Sequence, residues 1–123
     1  MGTKIEIVSL NVRGLRDNKK RREMFHYFHK QDAGVIMLQE VHCTKDVEKF
    51  WRAEWGFTTL FSHGTSDARG VCIIFKSTFP LEIHSTVTDE NGRYIVTDVT
   101  VGDKRLTLCN IYAPNEEDRK SVV

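Results

Sequence analysis

The sequence predicts an α/β domain in which the strands form one sheet and the helices lie on one of its faces. Three observations carry this expectation. Two segments with helical spacing of apolar residues follow two short apolar runs in strict alternation. The rest of the chain then switches to a period of two. Several of the strand-like runs are apolar at consecutive positions, the pattern of strands buried on both faces.

Residues 5–12 are rich in Ile and Val and stop at the polar turn Asn11-Val12-Arg13-Gly14, which defines a first strand. Asp17 or Asn18 can cap a helix that begins in the basic run Lys19, Lys20, Arg21, Arg22, shows Met24, Phe25 and Phe28 on its apolar face, and ends near Gln31. Residues 33–40 form a second, continuously apolar strand that ends at Glu40. A shorter helix over 46–54 carries Val47, Phe50 and Trp51 at i, i+3, i+4 and is closed by Gly56. Residues 57–63, 70–76, 81–88, 94–101 and 105–112 read as strands, divided by Ser66-Asp67, Phe79-Pro80, Asn91-Gly92 and Gly102-Asp103. Residues 116–120 are polar and have the character of a helix start. The order is βαβα followed by a meander. Two helices can blanket only one face of such a sheet, so its other face calls for a copy of the chain, another polypeptide or a further C-terminal half.

Length and composition limit the function classes. A chain of 123 residues is expected to be one domain spanning 1–123. With 40% hydrophobic and 28% charged residues it is neither disordered nor fibrous. Its longest apolar runs, 35–38 and 71–75, fall far short of the roughly 20 residues that cross a bilayer, and the N-terminus lacks the apolar core of a signal peptide. No membrane role is expected. Cys43, Cys72 and Cys109 are widely spaced, and Cys72 and Cys109 lie in apolar strand runs where a thiol acts as a small hydrophobe. A reducing, intracellular setting follows, nuclear or cytoplasmic. The net charge of +1 says nothing about nucleic acid, so any electrostatic case rests on local clusters.

Polar residues end three of the apolar strands, and these are the candidate chemistry. Asn11 follows Val8-Ser9-Leu10, Glu40 follows Ile36-Met37-Leu38-Gln39, and Tyr112 and Asn115 follow Leu108-Cys109-Asn110-Ile111. Ligands gather at the carboxyl ends of strands in partly parallel sheets. A carboxylate with amide oxygens is the hard, oxygen-only donor set that Mg²⁺ takes, with water and substrate phosphate completing it. Each residue also has a plain structural reading: Glu40 as a solvated strand end, Asn11 as a turn residue, Tyr112 as a half-buried aromatic. The basic run 19–22 offers phosphate contacts or simply a solvated helix face. His26 and His29 share a helical face but lack a third zinc ligand.

Taken in order, the blocks Ser9-Leu10-Asn11-Val12-Arg13-Gly14-Leu15, Leu38-Gln39-Glu40-Val41-His42, Gly70-Val71-Cys72-Ile73-Ile74-Phe75, Gly92-Arg93-Tyr94-Ile95 and Asn110-Ile111-Tyr112-Ala113-Pro114-Asn115 resemble the endonuclease/exonuclease/phosphatase superfamily. Within it the likeness is to the apurinic-like endonuclease domain of LINE-type retrotransposons. The resemblance implies a Mg²⁺-dependent phosphodiesterase that nicks DNA through an activated water and leaves a 3′-hydroxyl. It implies that Glu40 and Asn11 serve the metal, with Asn11 also in the active-site hydrogen-bond network. Tyr112 and Asn115 would contact the target phosphate, Arg13 would meet phosphate or solvent, and His42 would support Glu40. Asn11, Glu40 and Tyr112 are then the catalytic set.

Two departures qualify this. Arg13 stands where family members carry a metal-assisting Asp or an Asn, and Arg cannot bind Mg²⁺. The family's Asp-x-Asn, which handles the nucleophilic water, and its Ser-Asp-His belong to later blocks of a longer fold. The resemblance therefore implies that these residues make one half of a four-layer α/β sandwich, one mixed sheet with helices outside it, and that the chain alone is inactive or nearly so with weak or absent Mg²⁺ binding. DNA is the implied partner of the full-length parent. The alternative is a non-catalytic module that uses an exposed sheet face to homodimerise or to bind another protein. A fragment whose function exists only in a longer parent is the third possibility.

Overall fold

A computed structural model describes residues 4–113. In chain order the elements are β1 (Ile7–Asn11), α1 (Asn18–Lys30), β2 (Val35–Gln39), α2 (Lys45–Trp55), β3 (Thr58–Ser62), β4 (Val71–Phe75), β5 (Leu81–Thr88), β6 (Tyr94–Val101) and β7 (Lys104–Ile111). All nine correspond to elements read from the sequence. Asn115 and the helix start at 116–120 lie outside the described residues.

Local chemistry sets both helix ends. Asp17 is the N-cap of α1, its side chain accepting from the Lys20 backbone N–H at 2.8 Å. At the other end, the Phe28 carbonyl accepts the N–H of the C-cap Gln31 at 3.2 Å, and the Lys76 ammonium donates to the carbonyls of both Phe28 and Gln31. Helix α2 ends at Gly56, which has φ +72 in the left-handed region. Its buried seam is Val47, Trp51 and Trp55 at i, i+4, i+8, whereas Phe50 is 71% exposed. The expected inclusion of Phe50 in that face fails because the helix presents its 47–51–55 line to the core.

The strands divide into two sheets, ordered β1-β2-β4-β3 and β5-β6-β7. β1 and β2 are parallel, while β4 is antiparallel to both β2 and β3. The predicted α/β sandwich is present, but its strands are not in one mixed sheet. The reason is that β4 has both edges occupied, by β2 and β3, so β5 has no free edge beside its predecessor and starts a second sheet.

Alternation then builds two cores. Ile36, Leu38, Cys72 and Ile74 face the helices and pack with Phe28, Trp51 and Trp55. Val35, Val71, Ile73 and Phe75 face the other way and pack with Ile95, Val99, Val101 and Leu108 of the second sheet. The sheet face expected to be bare is therefore covered by the chain's own β6 and β7. The unpartnered face lies elsewhere, on the outside of β5–β7, where Val87 is 57% and Ile111 63% exposed. Cys109 is also exposed, because Leu108 and Asn110 take the inward positions of β7. Cys43 is buried, and desolvation pushes its thiol up to about 12.

Half of the basic run has structural employment. Arg21 is buried, paired with Glu54 at 2.8 Å, and lies over the Trp51 ring. Lys20 is described below, and Lys19 and Arg22 face solvent. His29 stacks edge-on against Phe25 with centroids 4.5 Å apart, which accounts for it without a metal.

Candidate active site

The parallel register Ile7↔Val35 to Asn11↔Gln39 brings the carboxyl ends of β1 and β2 to one end of the sheet. Asn11 and Glu40 emerge there together. Beyond the strands the two segments stay joined: Val12 N–H donates to the Gln39 carbonyl at 3.0 Å, Gly14 to Glu40 at 2.6 Å and Leu15 to Val41 at 3.1 Å. The entry to β4 is tied to the same place, with Val41 N–H on the Gly70 carbonyl and His42 N–H on that of Arg69, both at 2.9 Å. The β5–β7 sheet joins through Gly70 N–H to the Gly92 carbonyl at 2.9 Å, and within that sheet the Tyr112 N–H extends the β6–β7 ladder by one bond to the Arg93 carbonyl at 2.6 Å.

This lattice is strained. Arg13, Glu40, His42 and Arg69 have φ between +52 and +59, and they are the only non-glycine residues with positive φ among the described residues. Each such residue costs of order 1–3 kcal/mol, which a fold retains only where surrounding bonds over-determine it. Gly14 is required where it stands, since it has φ +88 and a Cβ there would lie 2.6 Å from the Nδ1 of His42.

The segments enclose an open polar cleft of about 520 Å³ lined by Asn11, Arg13, Glu40, His42, Asp67 and Ala113. Asn11 Oδ1 accepts from the Arg13 backbone N–H at 3.0 Å, and Lys20 Nζ donates to the carbonyls of Val12 at 2.7 Å and Arg13 at 3.1 Å. Lys20 thus fixes the loop from behind. Burial lowers the pKa of His42, with Lys20 and Arg16 pushing the same way, while the charges of Glu40 and Asp67 oppose the shift.

Of the residues singled out in the sequence, Asn11, Arg13, Glu40 and His42 share the cleft. Tyr112 is half-buried against the core between the sheets, and its neighbour Ala113 lines the cleft instead. The inward phase of β7 explains this, because residues 108, 110 and 112 fall on one face. Asp67 is the lining residue that sequence reasoning took only as a turn signal. It sits in a turn held by the Thr65 hydroxyl, which accepts from the backbone N–H groups of Ala68 at 2.9 Å and Asp67 at 3.3 Å.

A divalent cation can be tested against this donor set. Among the described residues no group of three or more His, Cys, Asp or Glu side chains is placed to hold a metal. Glu40 and Asp67 instead line one open polar cleft, and Mg²⁺ is commonly held by one or two carboxylates with several of its waters retained. The residues fit a largely hydrated Mg²⁺ and not a closed cage.

Comparison with known proteins agrees with the fold and extends over the site. The chain is 29% identical over 110 residues to the Transposon TX1 uncharacterized 149 kDa protein of Xenopus laevis, a match spanning 89% of this chain and 8% of that protein. Among solved structures it resembles an AP endonuclease from Archaeoglobus fulgidus, with TM-score 0.69, 16% identity, and coverage of 97% of this chain and 47% of the other. It also resembles a D. rerio TDP2 humanized by 14 mutations, with TM-score 0.64, 19% identity and coverage of 94% and 54%. The chain thus spans about half the length of these structures and a small part of the transposon protein. Residues 8–120 match the model of one family, a stretch that contains all of both sheets but Ile7 and every residue of the cleft, and the chain therefore belongs to the Endonuclease/Exonuclease/phosphatase family.

Proposed function

We propose that these residues form the N-terminal half of a Mg²⁺-dependent DNA endonuclease of retrotransposon type. The observation that carries the reading is the parallel β1–β2 register, which sets Asn11 and Glu40 on one polar cleft with Arg13 beside them. The nuclease ancestry of the family and the likeness to a transposon protein support DNA as the substrate. The reading places the parent protein with intracellular DNA, in nucleus or cytoplasm.

In this reading Glu40 holds the cation and Asp67 adds negative charge across the cleft. When bound, Mg²⁺ supplies Lewis-acid stabilisation of charge on the non-bridging phosphate oxygens. Asn11 Oδ1 accepts one bond from the Arg13 N–H and has a second lone pair to offer the cation or one of its waters, while its NH₂ can donate to a phosphate oxygen. The exposed Arg13 side chain is a cation for the flanking backbone. His42, whose pKa burial lowers, packs the turn behind Glu40. The family resemblance assigns phosphate contacts to Tyr112 and Asn115 as well, although Tyr112 is half-buried against the inter-sheet core and its neighbour Ala113 lines the cleft; the water-activating and leaving-group functions come from a second half.

The chain alone is then expected to bind cation weakly and to nick DNA slowly or not at all. Titration with Mn²⁺ as a paramagnetic probe, read by water proton relaxation, should show weak binding that Glu40→Gln removes. Plasmid nicking in Mg²⁺ should stay at background. Absence of Mn²⁺ binding, binding that survives Glu40→Gln, or nicking that survives it would overturn the reading.

The exposed outer face of β5–β7 favours a second reading, a non-catalytic module that pairs with another copy or another protein. Register aligns Val87, Val96 and Cys109 across the strands and Tyr94 beside Ile111, giving an apolar half-face. Light scattering should then show concentration-dependent association that Ile111→Lys abolishes. A monomer at every concentration removes homodimerisation.

A further inference from the structure

A chain of polar bonds crosses from one sheet to the other through an otherwise apolar interface. Gln39 Nε2 donates to Ser9 Oγ on β1 at 2.9 Å and to Asn110 Oδ1 on β7 at 2.7 Å. Asn110 Nδ2 in turn donates to the carbonyls of Leu38 at 3.0 Å and Cys72 at 2.8 Å. Asn110 is 1% exposed, and its orientation is not ambiguous: two carbonyls face its NH₂, so its oxygen must face the Gln39 donor. Every polar atom of the Asn110 amide is satisfied.

The position of these residues along their strands is what gives the bonds a role. Ser9 stands two residues before Asn11, Gln39 one before Glu40 and Asn110 two before Tyr112. Apolar contacts between Val35, Ile73, Val99 and Leu108 are non-directional, and the other directional ties between the sheets, Gly70 N–H to the Gly92 carbonyl and the Ser62 hydroxyl to that of Asp89, lie at the β5–β6 turn and do not hold β7 itself. Directional bonds from the Asn110 amide to β2 and β4, and from the Gln39 amide to β1 and β7, specify its offset. We propose that Gln39 and Asn110 are positioning residues of the cleft: their amide bridge between the sheets sets where the Tyr112 end of β7 stands against Asn11 and Glu40. The relevance to phosphodiester chemistry rests on the function proposed above, but the clamp itself is a property of the metal-free chain.

Gln39 is half-buried, so Gln39→Met keeps the length and apolar stem while removing both donors. Amide hydrogen exchange read by NMR on the metal-free protein is the test. Tyr112 N–H, which bonds the Arg93 carbonyl, should exchange about tenfold faster in Gln39→Met, the loss of roughly one directional bond. Amides of β3 should keep their rates. Thr59→Val is the matched control, since it removes a buried hydroxyl whose partner is the Phe57 carbonyl and should leave Tyr112 unchanged. Ser9→Ala, at an exposed position, removes only the β1 arm. It should speed Val12 and Gly14 N–H about threefold and spare Tyr112. Exchange that rises uniformly over both sheets, or a Tyr112 rate in Gln39→Met no different from that in Thr59→Val, would overturn the proposal. Because no metal is present, a failure of Mn²⁺ binding by the wild type bears on the function and not on this result.

Discussion

Gly92→Ala destabilises the fold by about 3 kcal/mol or more, a cost at the severe end of single substitutions. Gly92 is buried with φ +71, and a Cβ there would lie 2.5 Å from the His63 carbonyl oxygen and 2.6 Å from Gly64 N. Both neighbours are backbone and cannot swing aside. The residue also accepts the Gly70 N–H, so any shift reaches the segment that carries Asp67 and Arg69. Gly56→Ala isolates the conformational share, since Gly56 has φ +72 with nothing within 4 Å of the added Cβ, and it should lose only about 1–2 kcal/mol. Urea unfolding of the two variants decides the matter: equal losses would show that crowding at residue 92 is not the cause.

Arg21→Ala is expected to lower stability by about 3 kcal/mol through unpaired acceptors and a lost stem. The guanidinium donates to the Leu15 carbonyl at 3.0 Å, the Arg16 carbonyl at 3.3 Å and Asn18 Oδ1 at 2.7 Å, besides pairing with Glu54. The Glu54 side chain is 32% exposed and can rehydrate, so the ion pair contributes less than a buried one would. The Leu15 bond is buried, and losing its donor is the larger cost. Arg21→Lys keeps charge without the planar fork and should recover only part of the loss. A urea midpoint for Arg21→Ala close to that of the wild type would contradict this account.

The outcome separates what neighbouring residues dictate from what distant ones do. Helix α1 was legible because Asp17, Met24, Phe25 and Phe28 lie within a few turns of one another, and cap and stripe are local facts. The place of Phe50 was not, because 47–50–51 and 47–51–55 are both acceptable helical stripes until a core chooses one. Cys109 reads as buried in an apolar run, yet one residue of phase in β7 turns it outward. In the site, Asn11 and Glu40 were visible as polar ends of apolar strands. Asp67 was not, since a polar residue in a polar turn carries no mark of the cleft it faces. Nor was Arg21 distinguishable from Lys19, Lys20 and Arg22, because only packing of α2 against α1 buries it.

The amino-acid order alone determined nine elements, their bounds to within a residue or two, and the family whose blocks they carry, because caps, turns and alternation act over a few bonds of chain. Tertiary structure decided which strands pair, that β5–β7 form a second sheet covering the first, and which side chains meet at the cleft. The physical reason is that strand alternation specifies a face but not a neighbour. Edge occupancy around β4 and the inter-sheet amide of Asn110 supply that missing choice only once the chain has folded.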